Sequence, residues 1–184
     1  AGLIDAVEQF QLGNEAPLDA LLLDIPTSYK GSSQDDFLFA NGIGSEIRGK
    51  KGNDDVIGGD TGQTLMGNAG NDLIFAHDGF SFFYGGGGDD VFVFADPTKP
   101  STIKDLNPEQ DLIGLDGYGF DAIGPGFLQD SQFRIGKHAQ TAEQIIIYDQ
   151  KTGNLYYDGD GSGATQTQVN FAKIQDLTLN VTHR

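Results

Sequence analysis

From Gly31 to Val93 the chain is written in units of nine residues, and no insertion interrupts them: GSSQDDFLF, ANGIGSEIR, GKKGNDDVI, GGDTGQTLM, GNAGNDLIF, AHDGFSFFY and GGGGDDVFV. A period this short leaves little room for a layout in which each element finds its own distant partner. It calls for a coil in which every unit packs on copies of itself. Six turn residues followed by a three-residue strand wind in this way when two units complete one turn and like strands stack in parallel at about 4.8 Å. The strand position that faces inward is then the eighth of each unit, and it holds Leu38, Ile47, Val56, Leu65, Ile74, Phe83 and Phe92. With 38% apolar residues in the chain, an all-apolar column of this length arises by chance about once in a thousand phases, so the alternation is structural.

The turns carry chemistry as well as geometry. Glycines at the first and fourth positions permit positive φ and let carbonyls approach an ion closely, while an aspartate at the sixth adds a carboxylate from the same turn. Oxygen donors of this kind suit Ca²⁺. The aspartates, however, recur every eighteen residues, not every nine: Asp36, Asp54, Asp72 and Asp90 stand in the odd units, against Ser45, Gln63 and Ser81 in the even ones. Because two units make a turn, the odd units line one edge of the coil and the even units the other. The expected metal ligands are therefore Asp36, Gly49, Gly52, Asp54, Gly67, Gly70, Asp72, Gly85, Gly88 and Asp90, holding up to three Ca²⁺ between successive aspartates, with the Asp36–Asp54 site the weakest because GSSQDD lacks the second- and fourth-position glycines that aim carbonyls inward. Asp60 and Asp78, in even turns, are weaker candidates. Carboxylates stacked about 5 Å apart repel by about 3 kcal/mol at an effective dielectric of 20. Calcium reverses that sign, so binding and folding are expected to form one equilibrium.

Eleven basic against twenty-seven acidic residues give a formal charge of −16, which argues against nucleic acid and anionic lipid and for cationic partners. Cysteine is absent, which excludes thiolate metal sites and disulfides. No apolar run is long enough to span a membrane, and the first residues, AGLIDAVEQF, do not read as a Sec-type signal. Two explanations stand open: a processed fragment, or export by a route that reads another part of the protein.

Outside the repeats, residues 1–30 place Leu3, Ile4, Val7 and Phe10, then Leu18, Leu21, Leu22 and Ile25, at helical spacing, and are expected to form a helical cap or linker. Residues 31–93 form the roll, and residues 94–184 a C-terminal antiparallel β region. There STIKDLNPEQDLIGL reads as strand, turn and strand, and Ile145–Tyr148 pairs with Leu155–Tyr157 across Lys151-Thr152-Gly153, with further strands at 169–174 and within DLTLNV. The expected fold is all-β: a right-handed parallel β-roll continued by an antiparallel sandwich. The sandwich is also the candidate cover for the outward apolar residues of the odd strands, Phe37, Phe39, Ile57, Leu73, Phe75, Val91 and Val93. Asp158, Asp160, Ser162 and Gly163 match the first half of an EF-hand loop, but the twelfth position is Val169 rather than glutamate. A glycine-rich hairpin turn is the favoured reading there, with Asp158 and Asp160 as a weaker metal candidate.

The repeats GKKGNDDVI, GNAGNDLIF and GGGGDDVFV resemble those of RTX proteins, the hemolysin-type calcium-binding β-rolls of bacteria. STIKDLNPEQDLIGL and IIIYDQKTGNLYYDGDGSG are similar to segments that follow the roll in serralysin-like and epimerase-associated modules. The resemblance spans roughly residues 31–180 and implies a calcium-binding module of a larger secreted protein, exported unfolded by type I secretion and folding outside the cell as Ca²⁺ binds. Ser101 and Leu106 depart from the usual aspartate and phenylalanine of that segment. Catalysis is not expected. His77, His138 and His183 are isolated, and neither a zinc-protease nor a G-x-S-x-G motif occurs. The alternative is a calcium-dependent carbohydrate-binding or adhesive module, with Tyr84, Tyr118, Tyr148, Tyr156 and Tyr157 as stacking platforms for a polysaccharide.

Overall fold

The computed structural model describes residues 28–40, 42–59, 62–77, 79–163 and 165–175. The expected helices before Ser28, the strand within DLTLNV, and Asp60, Asp78 and His183 lie outside the described residues.

The described chain is all-β and is dominated by a parallel solenoid. Its strands alternate between two sheets: β1 (Ser28–Lys30), β2 (Phe37–Ala40), β3 (Glu46–Lys51), β4 (Asp55–Gly58), β5 (Thr64–Ala69), β6 (Leu73–Ala76), β7 (Phe82–Gly87), β8 (Val91–Phe94), β9 (Ser101–Ile103) and β10 (Leu112–Leu115). The odd units of the sequence supply β2, β4, β6 and β8, which stack in parallel with β10 at one end of a five-stranded sheet. The even units supply β3, β5 and β7, flanked by β1 and β9 in the other. Register advances by eighteen residues, as in Val56 opposite Ile74 and Leu65 opposite Phe83. Of the inward column, Ile47, Val56, Leu65, Ile74, Phe83 and Phe92 are fully buried. Leu38, in the first coil, is only partly so, because no earlier odd strand stacks on it among the described residues.

The solenoid runs past its expected end. STIKDLNPEQDLIGL does not form an antiparallel pair: β9 lies parallel to β7, and β10 parallel to β8. The segment keeps the alternation between sheets, with Ile103 and Ile113 in register with Phe83 and Phe92. What breaks the nonamer count is the Pro-containing insertion between Phe94 and Ser101.

The C-terminal strands are β11 (Phe133–Ile135), β12 (Ile146–Asp149), β13 (Asn154–Tyr157) and β14 (Val169–Ile174), preceded by a 3₁₀ turn at Asp130–Gln132. The β12–β13 hairpin pairs as expected, and β14 is antiparallel to β13. The group does not lie over the odd sheet. Instead β14 adds in parallel to β9 and extends the even sheet edgewise in the order β9, β14, β13, β12, β11. A free strand edge offers a full row of backbone donors and acceptors, which an added strand satisfies. One apolar core crosses the junction: the Phe94 ring lies 5.4 Å from Phe83 and from Phe171, and Phe120 lies 5.1 Å from Phe171 and 5.0 Å from Tyr157. The outer face of the odd sheet remains exposed at Phe37, Phe39, Leu73 and Leu112. Among the described residues no helix is long and apolar enough to cross a membrane.

Candidate metal centre

The turns that carry Asp54, Asp72 and Asp90 join an even strand to the next odd strand, so the stacking of coils places these aspartates in a row. Each carboxylate serves the turn before it. Asp36 N–H donates to Asp54 Oδ1 at 2.8 Å, Asp54 N–H to Asp72 Oδ1 at 2.8 Å, and Asp72 N–H to Asp90 Oδ1 at 2.9 Å. Asp54, Asp72 and Asp90 are each only 1% exposed. Their second oxygens, Oδ2, are buried and accept no hydrogen bond among the described residues. A buried anionic oxygen without a partner is costly, and here the cost is repeated three times along one edge.

Glycine shapes the space around those atoms for two separate reasons. A Cβ at Gly49, Gly67 or Gly85 would collide with Oδ2 of Asp54, Asp72 or Asp90 respectively, and at Gly49 it would also lie 2.7 Å from the Gly67 carbonyl oxygen. These first-position glycines are needed for room, each leaving a cradle bounded by a carboxylate and, at Gly49, by a backbone carbonyl as well. The fourth-position glycines are needed for conformation: φ is 111° at Gly52, 127° at Gly70 and 137° at Gly88, a region unfavourable to other residues.

Burial pushes the Asp54, Asp72 and Asp90 carboxyls up, and neighbouring carboxylates add to the effect. Asp90 reaches about 6, with Asp111, Asp72 and Asp105 acting on it after burial.

Asp36 differs. Its Oδ2 accepts from Ser32 N–H at 2.5 Å and from Ser32 Oγ at 2.9 Å, and Lys50 Nζ donates to the Gly31 carbonyl at 2.5 Å. The Ser32 bonds hold the Asp36 carboxyl below the usual range. In this first turn a serine and a lysine supply what the next three turns lack.

At the sixth position the even edge repeats the architecture with neutral side chains. Ser45, Gln63 and Ser81 are buried; Gln63 N–H donates to Ser81 Oγ at 3.3 Å and Ser81 N–H to Ser101 Oγ at 3.0 Å. Gln63 Oε1 points at Gly58 as Asp54 Oδ2 points at Gly49, while its Nε2 donates to the Gly42 carbonyl at 3.1 Å. A neutral amide thus occupies the even-edge cradle.

Two features went unread in the sequence. Asp111 is a fifth rung of the aspartate row: its Oδ1 accepts from Asp90 N–H at 3.1 Å and its Oδ2 from Asn107 N–H at 2.7 Å. Beside it, Asp105 accepts from the Gly85 and Gly86 amides at 2.9 and 3.1 Å. The available signal was the triplet Asp111-Leu112-Ile113, which echoes Asp72-Leu73-Ile74 and Asp90-Val91-Phe92. The second feature is an outer ladder at the fifth position, where Asn53, Asn71 and Asp89 amides donate to Asp35, Asn53 and Asn71 side chains at 2.7, 2.8 and 3.0 Å. The recurrence of Asp or Asn at that position was its signal.

Among the described residues no three His, Asp or Glu side chains converge on one point; each cradle has one orphan carboxylate oxygen, joined at Gly49 by the Gly67 carbonyl oxygen. Asp158 and Asp160 lie apart from the row, in the loop between β13 and β14. Of the tyrosines considered as stacking platforms, Tyr148 and Tyr157 are buried, at 1% and 6% exposure, so they offer no face to a sugar; both rings belong to the core that β12 and β13 close. Comparison with protein-family models, curated proteins and solved structures returned no match.

Proposed function

We propose that this chain is a calcium-binding roll in which metal binding and folding are coupled, and that it serves a secreted protein as a module that folds after type I export. The observation that carries this reading is the row of three buried Oδ2 atoms, on Asp54, Asp72 and Asp90, each facing a glycine cradle. A hard divalent cation supplies there the positive charge that offsets the carboxylates. Asp54, Asp72 and Asp90 are the side-chain ligands, assisted by carbonyls of the glycine turns. Asp36 contributes less, because Ser32 already satisfies it, so three centres along 49–90 are better supported than one between Asp36 and Asp54.

The chain's own part is to hold these oxygens in place. The Oδ1 bonds fix each carboxylate, and the strands behind it fix the spacing. With a net charge of −16, the roll without cations is strained by its own electrostatics. Low calcium inside a cell then favours the open chain, and higher calcium outside favours the coil. Export by a type I route and a secreted location rest on the resemblance to RTX repeats together with this coupling. The module is proposed to be non-catalytic: His77 and His138 are exposed and lie apart in the chain.

Calcium titration by isothermal calorimetry tests the assignment. Asp72→Asn should lose binding sharply, whereas Ser81→Ala, on the neutral edge, should bind as wild type does. Equal loss in both would refute a one-edge site.

A further inference from the structure

We infer that the loop joining β13 to β14, residues 158–163, forms a second divalent-cation site built on Asp158 and Asp160, which pins the C-terminal strands to the 141–145 segment. It is independent of the aspartate row.

Asp158 is 8% exposed, and its Oδ1 is buried without a hydrogen-bond partner among the described residues. Asp160 Oδ1 is in the same condition, although Asp160 Oδ2 is saturated by Thr165 N–H at 2.9 Å, Thr165 Oγ1 at 2.5 Å and Gln166 N–H at 3.2 Å. The saturation fixes the Asp160 carboxylate and leaves its free oxygen aimed inward. The two carboxyl groups act on each other directly, and a cation between them would offset the repulsion of two anions. His138, the basic group acting on Asp158, is exposed.

The surrounding backbone is tightly drawn. Asp158 N–H donates to the Ile145 carbonyl at 2.9 Å and Ser162 N–H to the Thr141 carbonyl at 3.0 Å. Gly161, at φ 58°, is pressed so closely that a Cβ would lie 2.5 Å from the Thr141 carbonyl oxygen. Gln168 ties in the adjoining loop through Nε2 to the Lys137 carbonyl at 3.0 Å and leaves its own Oε1 buried without a partner among the described residues. Carboxylate and carbonyl oxygens of this kind are ligands for a hard cation such as Ca²⁺. No EF-hand is involved: strands flank the loop, and Val169 stands where the bidentate glutamate would be.

Native mass spectrometry of the full chain with calcium alone counts the ions. Asp158→Asn, and separately Asp160→Asn, should carry one ion fewer than wild type at the same free calcium, while Asp72→Asn loses ions from the roll and keeps this one. If the row binds nothing, wild type carries one ion and Asp158→Asn none, and the loop site still stands. Wild-type counts in both loop variants would overturn it. Hydrogen exchange on a chain whose loop is unmutated provides a reading that does not depend on the loop variants folding: amides of 141–145 and 158–163 should slow at least about tenfold on adding calcium to Asp72→Asn, and unchanged exchange there would also overturn the site.

Discussion

Replacing Asp90 by asparagine separates the cost of a buried carboxylate from the gain of binding metal with it. The introduced amide keeps an oxygen to accept the Asp72 N–H, which Asp90 Oδ1 takes at 2.9 Å in the native chain, but it removes the charge. In the folded chain burial and the carboxylates of Asp111, Asp72 and Asp105 raise Asp90 from 3.8 to about 6. That difference corresponds to roughly 3 kcal/mol of instability above pH 6 without metal, taking about 1.4 kcal/mol for each pH unit. In EGTA at about pH 8, Asp90→Asn should therefore be the more stable protein, by up to about 3 kcal/mol, or roughly 6–12 °C in melting temperature for a chain of this size. In millimolar calcium the order should invert, because the variant has lost a charged ligand while wild type keeps its full set. Scanning calorimetry on both proteins in both buffers reads the effect. A variant that is less stable in EGTA as well as in calcium would refute the reasoning, since it would show that the Asp90 charge is already compensated by the protein.

The same shifts set the pH dependence of the metal-free chain. Asp54, Asp72, Asp90 and Asp111 are all raised, so their contribution is fully present below the unfolded value of about 4 and is lost as pH rises through the folded values, near 6 for Asp90. Denaturant unfolding in EGTA should show stability falling over this range, and a rise would contradict the account. Gly67→Ala places a methyl against Asp72 Oδ2 and should cost about 2 kcal/mol or more together with most calcium binding, whereas Gly87→Ala, which meets nothing within 4 Å, should stay within about 0.5 kcal/mol. Phe92→Ala removes a fully buried ring stacked 6.2 Å from Phe83 and should cost about 3–5 kcal/mol by chemical denaturation in calcium; a loss below about 1 kcal/mol would mean that the inward column is not the core.

The solenoid was legible because its period is strict. The inward column from Ile47 to Phe92 and the two-edge chemistry both follow from counting, and the β12–β13 hairpin follows from local alternation across Lys151-Thr152-Gly153. Where the count breaks, legibility falls. The insertion before Ser101 hid the coil formed by β9 and β10, and with it Asp111, because local alternation in STIKDLNPEQDLIGL fits a hairpin as well as two stacked rungs. The placement of β14 beside β9 was not readable, since which edge a strand joins depends on long-range geometry that a local pattern does not encode. The missing fourth-position glycine of GSSQDD already sets Asp36 apart from its three successors. The Ser32 and Lys50 contacts that satisfy that turn were not legible, because they depend on how a particular turn closes.

Calcium titration followed by far-UV circular dichroism tests the central claim most directly. Chelation with EGTA near neutral pH should weaken the β signal and lower the melting temperature, and calcium should restore both in one transition, with Asp72→Asn shifting that transition to higher calcium. A spectrum and melting temperature that are the same in EGTA and in calcium would contradict the coupling of metal binding to folding.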